Sequence, residues 1–365
     1  MKIRSITCFI NPKKQWEIQI TKAARTVKAL KETLAVSGIE VQTSRIATTP
    51  FPQWLELKRP LSAMAFLQVL EEMAEAEGFD FISIGPAQTS APASYEIIPD
   101  VISSSNLFAS ALMTTPEKSL DTRAIKACAR IIHELSSASP DGFTNLRFAA
   151  LGNVPAASPF FPSAYASSDK PGFGFAMEGA DLAIEEFSKA KSISEAQSNL
   201  SNRINSEVSR ILESCKASGE TGMELLGFDF TLAPFPEDAT SIGQALENLG
   251  LPAIGKAGSV ATAAILMSVM QGIKIPRIGF NGLMLPVLED SILARRASDG
   301  SLGIQDLLLY ATVCGTGLDT IPLPGNISTD QLYAILMGIG ALSLRLSKPL
   351  TARLMPIPGK NIELN

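Results

Sequence analysis

The sequence predicts an α/β protein built on a mostly parallel sheet, and three observations lead there. Apolar runs of strand length alternate with helical periodicity from one end of the chain to the other. The first of them, "IRSITCFIN", a helix with Trp16, Ile20, Ala24, Val27, Leu30 and Leu34 on one face, and "IEVQTSRIA" form a βαβ pattern, whose crossover makes its two strands parallel. Hydrophobic residues make up 46% of the chain and charged residues 18%, with a mean hydropathy of +0.19. That balance suits strands buried on both faces.

Further strands are expected at "FDFISIG", "LRFAALG", "GFAME", "LLGFDFTLA", "PRIGF" and "LTARLMPI". Helices are expected near 61–77, 121–137, 180–216, 258–273, 303–312 and 329–346. The long polar helix near 180–216 carries Ile193, Leu200, Ile204, Val208 and Ile211 on one stripe, which suits packing on the outside or across a subunit boundary and leaves a homo-oligomer open. The charge-free stretch "AGSVATAAILMSVMQGI" carries Ser, Thr, Gln and Gly and falls short of a membrane span, so it is expected as a central buried helix. With no short repeat and no low-complexity linker, residues 1–365 are expected to form a single α/β domain.

Several function classes are excluded by residue type. A net charge of −5, with basic residues paired only at Lys13-Lys14 and Arg295-Arg296, lacks the footprint of a nucleic-acid binder. Cys8, Cys128, Cys215 and Cys314 contain no C-x-x-C pair, so a zinc ribbon is out and reduced thiols are expected. The single histidine, His133, lies beside the apolar stripe of its helix, which rules out a multi-histidine metal site and disfavours a Ser-His-Asp triad. No haem, zinc or nucleotide motif is present. Arg4 interrupts the N-terminal apolar run and no small-residue cleavage site follows, so that run is expected to be a strand and the protein cytoplasmic and not membrane-bound.

Pro and Gly collect at 152–174, 232–238, 279–290, 314–325 and 355–360, each after a strand or helix. Ligands of α/β proteins bind in loops at the carboxyl ends of parallel strands, so these five segments are expected to line a pocket. Asp229 lies between Phe228 and Phe230, and strand alternation turns its carboxylate to the face opposite both rings. Arg353 is a guanidinium in an apolar strand. A buried charge needs a partner or a ligand. Glu178, the pair Glu289-Asp290 and Asp319 complete an acidic set, whose oxygens suit Mg²⁺ or Ca²⁺, although Glu289-Asp290 also fits a helix cap before "SILARR". Gly315 and Gly317 would let backbone amides approach an anion, and Asn153, Ser158 and Asn281 are further ligand-binding candidates.

The stretches "GNVPAASPFFPSAYA", "NGLMLPVLEDSILARRA", "VCGTGLDTIPLPGNIS" and "KPLTARLMPIPGK" resemble the signature segments of the family catalogued as domain of unknown function 711. The likeness runs from "KIRSIT" to "PGK". It implies a mostly parallel β/α barrel of about ten strands, like that of the glycyl-radical enzymes, and no established activity. Where the family pattern places a histidine after the tyrosine, this chain has Ala166.

Three chemistries follow. A thiyl radical on Cys314 lacks a radical glycine near the C-terminus, and "RIGFNG" precedes the cysteine at the wrong spacing. A nucleophilic Cys314 or Ser158 has no histidine in its motif, leaving Lys256, a carboxylate or metal-bound water as base. The expectation favoured is an enzyme performing hydrolytic or lyase-type acid-base chemistry on a small anionic or polar metabolite. Asp229, Glu178 and Asp319 would be its bases or metal ligands and Arg353 its anion clamp. The alternative is a non-catalytic metabolite-binding or regulatory protein using the same pocket.

Overall fold

Alternating apolar and helical segments condense into nine strands and twelve helices in a computed structural model that describes residues 2–167, 172–219, 222–250 and 253–360. The first half runs β1 (Lys2–Ile10), α1 (Trp16–Val36), β2 (Val41–Thr48), α2 (Pro60–Ala76), β3 (Phe81–Ala87), α3 (Ala93–Glu96), α4 (Ile98–Ser104), β4 (Phe108–Leu112), α5 (Thr122–Ser136) and β5 (Phe148–Gly152). There follow β6 (Gly172–Glu178), α6 (Ala180–Lys189), α7 (Ile193–Ala217), β7 (Glu224–Ala233), α8 (Ile242–Glu247) and α9 (Ser259–Gly272). The chain ends with α10 (Ser291–Ser298), α11 (Ile304–Ala311), β8 (Gly317–Pro324), α12 (Thr329–Leu346) and β9 (Leu350–Ile357).

All nine strands join one sheet in the order β7-β6-β1-β2-β3-β4-β5-β9-β8. Strands β1 to β5 run parallel to one another. β6 meets β1 and β9 meets β5 antiparallel, and β7 and β8 follow β6 and β9. The carboxyl ends of β6 to β9 therefore lie on the side of the amino ends of β1 to β5. One face packs against helices through Ile6, Cys8, Phe228 and Phe230 in the main core, and the other carries two smaller apolar clusters around Phe280 and Phe161.

The sheet is mostly parallel as expected, but strand pairing does not close it. Its edges, β7 and β8, are spanned by 276–286, which makes one parallel bridge to each, Phe228 with Arg277 and Pro286 with Asp319. The expected strand "PRIGF" is this spanning segment. The closed barrel of about ten strands and the glycyl-radical likeness are accordingly not shown. β8 carries Pro322 and Pro324, which is tolerated because β8 is an edge with β9 as its neighbouring strand and its bridge to Pro286 lies at Asp319, before both prolines.

Two helix expectations change. The stretch near 180–216 breaks at 190–192, where the Ser192 hydroxyl accepts from the Glu195 amide and starts α7. α9 is not central: Leu266, Met267 and Met270 are buried, while Ala261, Ala264 and Ser268 face solvent. No helix of the described residues is long and apolar enough to cross a membrane. All four cysteines are unpaired, with Cys8, Cys128 and Cys314 buried.

Backbone contact explains the glycines of the segment before β8. A Cβ on Gly282 would lie 2.5 Å from the Gly315 Cα, and one on Gly315 would lie 3.0 Å from the Gly282 Cα. The loop before β8 and the spanning segment after α9 cross here, and the Thr316 hydroxyl donates to the Leu283 carbonyl at 2.7 Å to fix the crossing. A Gly282→Ala substitution is expected to cost about 1–3 kcal/mol in chemical denaturation, since the atom it meets is main chain and cannot rotate away.

Candidate active site

A bulge in the first strand starts the site. The register of β1 shifts between Ile3 and Ser5, leaving Arg4 as the extra residue, and a bulge re-aims the side chain it carries. Arg4 Nη2 meets Glu289 Oε2 at 2.9 Å, and Nη1 meets Glu178 Oε2 at 3.5 Å and donates to the Pro234 carbonyl at 3.1 Å. Glu289, in a short 3-10 turn at Val287–Glu289, turns its other oxygen to Arg353 Nη2 at 2.9 Å. Arg353 Nε donates to Asp319 Oδ1 at 2.6 Å. The result is a chain, Glu178–Arg4–Glu289–Arg353–Asp319, in which each guanidinium lies between two carboxylates.

Environment divides these carboxyls. Burial pushes Glu289 up, but Arg353, Arg4 and Arg45 together outweigh it and hold the carboxyl below the usual glutamate range. Burial dominates at Glu178, raising it against the pull of Arg4 and a 2.7 Å hydrogen bond from Gln42 Nε2. Asp319 is raised as well, by burial and by the charge of Glu289, against Arg353. Arg353 loses water but is pulled higher by Asp319 and Glu289.

Arg45, on β2, stands apart. Its Nε donates to the Thr43 hydroxyl at 2.9 Å, and its guanidinium lies 5.5 Å from the Phe81 ring centroid and 5.1 Å from that of Phe161. Among the described residues no carboxylate pairs with it and Nη1 and Nη2 have no acceptor. Burial, then the charges of Arg4 and Arg353, lower it to about 9, so it stays charged at neutral pH. It borders a cavity of about 160 Å³ with Arg4, Arg353, Glu289, Phe81, Phe108, Leu146, Phe160, Phe161 and Met284. This cavity lies at the amino ends of β3 and β4, not at the carboxyl ends where the loop argument placed the pocket.

The expected site residues fall into two groups. Arg353, Glu178 and Asp319 join the ionic chain. Asp229 does not: it is fully buried on the face opposite Phe228 and Phe230, as alternation requires, but its oxygens accept from the Thr231 amide and hydroxyl and the Phe280 and Asn281 amides at 2.6–3.0 Å. Burial raises it to about 6, against those donors. It holds the spanning segment against β7. Asn281 assists, accepting from the Phe230 amide and donating to the Ile278 carbonyl. Asn153 ties its loop to α12 through Ser343. Ser158 is buried with no partner for its hydroxyl. Gly315 and Gly317 pack on Gly282 and Thr351, and Cys314 lies in the main core with burial pushing its thiol up, which makes it a packing group. Asp290, beside Glu289, caps α10 and also receives the amides of Ile242 and Gly243.

The three carboxylates expected to share a metal are therefore spread over different partners. Among the described residues no group of three or more His, Cys, Asp or Glu is placed to hold a metal ion. Of the five expected loops, 152–174 supplies Phe160 and Phe161, 279–290 supplies Met284 and Glu289, and 232–238 supplies the Pro234 carbonyl. Loop 355–360 supplies nothing to the cavity, and 168–171 lies outside the described residues. The sequence reading missed Arg4, a guanidinium in an apolar strand and so the same oddity that singled out Arg353, and Arg45, whose strand "VQTSRIAT" is polar on its amino-terminal side and gives no such signal.

Replacing Glu289 with Gln should leave Arg4 and Arg353 each with one carboxylate, Glu178 and Asp319, at a cost of about 1–3 kcal/mol in chemical denaturation at pH 7. Because the folded state holds Glu289 below its ordinary range, this contribution is present above that range and fades as pH falls through the lowered value. The difference between wild type and Glu289→Gln should shrink on acidification.

Comparison with known proteins places the chain in a family. It is 27% identical over 355 residues to a UPF0210 protein of Pyrobaculum arsenaticum, covering 92% of this chain and 78% of the relative. A UPF0210 protein of Sulfurisphaera tokodaii is 28% identical over 399 residues, covering 100% and 87%, and one of Acetivibrio thermocellus is 26% identical over 360 residues, covering 93% and 79%. None of these names states an activity. A single family model matches residues 1–362, and the chain belongs to that family, described as Uncharacterised ACR (DUF711).

Proposed function

We propose that the protein binds a small anionic metabolite in the cavity beside Arg45. One observation carries this reading: a charged, partly buried guanidinium borders the cavity with Nη1 and Nη2 unbonded by any described residue. A charge removed from bulk water without a counter-ion is costly, and an anionic ligand offsets that cost. Arg45 thus takes the clamp role that the sequence reading gave to Arg353, whose fork is engaged by Glu289 and Asp319.

A second reading, acid-base turnover of the bound ligand by hydrolytic or lyase-type chemistry, is favoured by Glu178 and Asp319. Both are raised by burial, and a carboxyl nearer neutrality is the better proton carrier, but neither lines the cavity and each connects to it through Arg4 or Arg353. Mg²⁺ or Ca²⁺ would have to displace Arg4 or Arg353 from these carboxylates, which favours a metal-free site.

Thermal unfolding in the presence of a panel of small anions tests the binding reading. A ligand that binds only the folded state raises the melting temperature by mass action. At least one anion should do so for wild type and none for Arg45→Met, which keeps the aliphatic stem between the two rings. Equal shifts in both proteins would sink the proposal.

A further inference from the structure

We infer that the ligand is a monocarboxylate with a compact apolar body, of the size of a single ring, and not a phosphate ester, a dicarboxylate or a sugar acid. This rests on the anion-binding reading above and adds the chemical class.

Charge sets the valence. Arg4 and Arg353 are already matched against Glu178, Glu289 and Asp319, and Arg45 brings the cluster to three charges of each sign. A ligand approaching Arg45 also approaches Glu289, which borders the same cavity. Each additional negative charge meets that fixed carboxylate in a partly dehydrated space, so a single charge is accommodated at least cost.

Geometry sets the head group. Thr43 occupies Nε, leaving Nη1 and Nη2 as an end-on fork. Two parallel N–H donors match two oxygens of a carboxylate or a phosphate alike, so the fork orients the anion and the single charge selects the carboxylate. The rings of Phe81 and Phe161 lie beside the guanidinium and hold the fork in place.

The walls set the body. Among the described residues, the cavity is bounded apart from the four ionic side chains only by phenylalanine, leucine and methionine. Phe108 meets Phe81 edge-on at 5.5 Å and Phe161 at 5.2 Å, presenting ring surface to the interior. Among the described residues no hydroxyl or amide side chain lines it, so the hydroxyls of a sugar acid would lose water without gaining partners there. About 160 Å³ is close to the ~150 Å³ of an apolar cavity that takes up benzene, so a body of about one ring fits.

Titration calorimetry of the full chain with benzoate, acetate, succinate and inorganic phosphate tests the assignment. Benzoate should bind at least tenfold more tightly than succinate or phosphate, and Arg45→Met should abolish the binding. Phe81→Ala is a second probe, since Phe81 is 38% exposed at the mouth and its loss should leave the fold intact by circular dichroism. It should weaken benzoate several-fold more than it weakens acetate. If succinate or phosphate binds more tightly than benzoate, and through Arg45, the apolar-monocarboxylate class is wrong and the anion site stands. If none of the four binds to wild type, the inference is overturned; if the wider anion panel also gives no Arg45-dependent shift, the anion site falls with it.

Discussion

One carboxylate holds the two arms of this sheet together. Glu289 lies 2.9 Å from Arg4 on β1 and 2.9 Å from Arg353 on β9, strands separated by four others in the sheet order. Contact between them through one side chain requires the sheet to curl until its inner face meets itself. Strand hydrogen bonds do not complete that curl, because β7 and β8 remain unpaired with each other. Side chains and the spanning segment 276–286 complete it. Asp229 pins that segment to β7, its bridge to Asp319 pins it to β8, and the short turn that follows delivers Glu289. Ionic cluster and curl are thus mutually dependent.

The glycine-rich segment around Cys314 takes its composition from this arrangement. Gly315 and Gly282 touch through their backbones, and Gly317 adopts a positive φ of 92° beside the Thr351 carbonyl. Neither close approach leaves room for a side chain. The segment turns sharply to bring Asp319 beneath Arg353, so its constraint serves the site from one step away.

Much of the fold was legible in the sequence because the dominant signal, apolar periodicity, is local. β4 escaped because "FASAL" is built of small residues with little β-branched character, and β8 because its prolines read as a loop until its edge position is known. In the site, alternation alone turned Asp229 away from Phe228 and Phe230, and the rarity of a guanidinium in an apolar strand singled out Arg353. Partnership was not legible. Whether a buried carboxylate is satisfied by backbone amides, as Asp229 is, or by arginine, as Glu178, Asp319 and Glu289 are, depends on which loop crosses it. Glu289 and its neighbour Asp290 show how sharp that dependence is: adjacent in sequence, one closes the sheet and the other caps a helix.

The same long-range logic explains why the cavity opens at the end opposite to the one the loops suggested. The carboxyl-end rule for α/β proteins assumes that all strands run one way. Here β6 to β9 run against β1 to β5, and the loop after β5 folds back over the inner face. Its Ala166 amide donates to the Thr48 carbonyl, its Ala164 carbonyl accepts from Ser83, and its Pro159 carbonyl accepts from Thr7. That loop fills the inner face beside the carboxyl-end half of β1 to β3 and carries Phe160 and Phe161 to the border of the cavity. What remains open is the amino end of β3 and β4, reached by the ends of β6 and β7 and by the midpoints of β8 and β9. Glu178, Asp319 and Arg353 arrive from the second set of strands, Glu289 from the turn, and Arg4 and Arg45 from the first. A site that draws its charged groups from oppositely directed halves of one sheet exists only when both halves have folded and met.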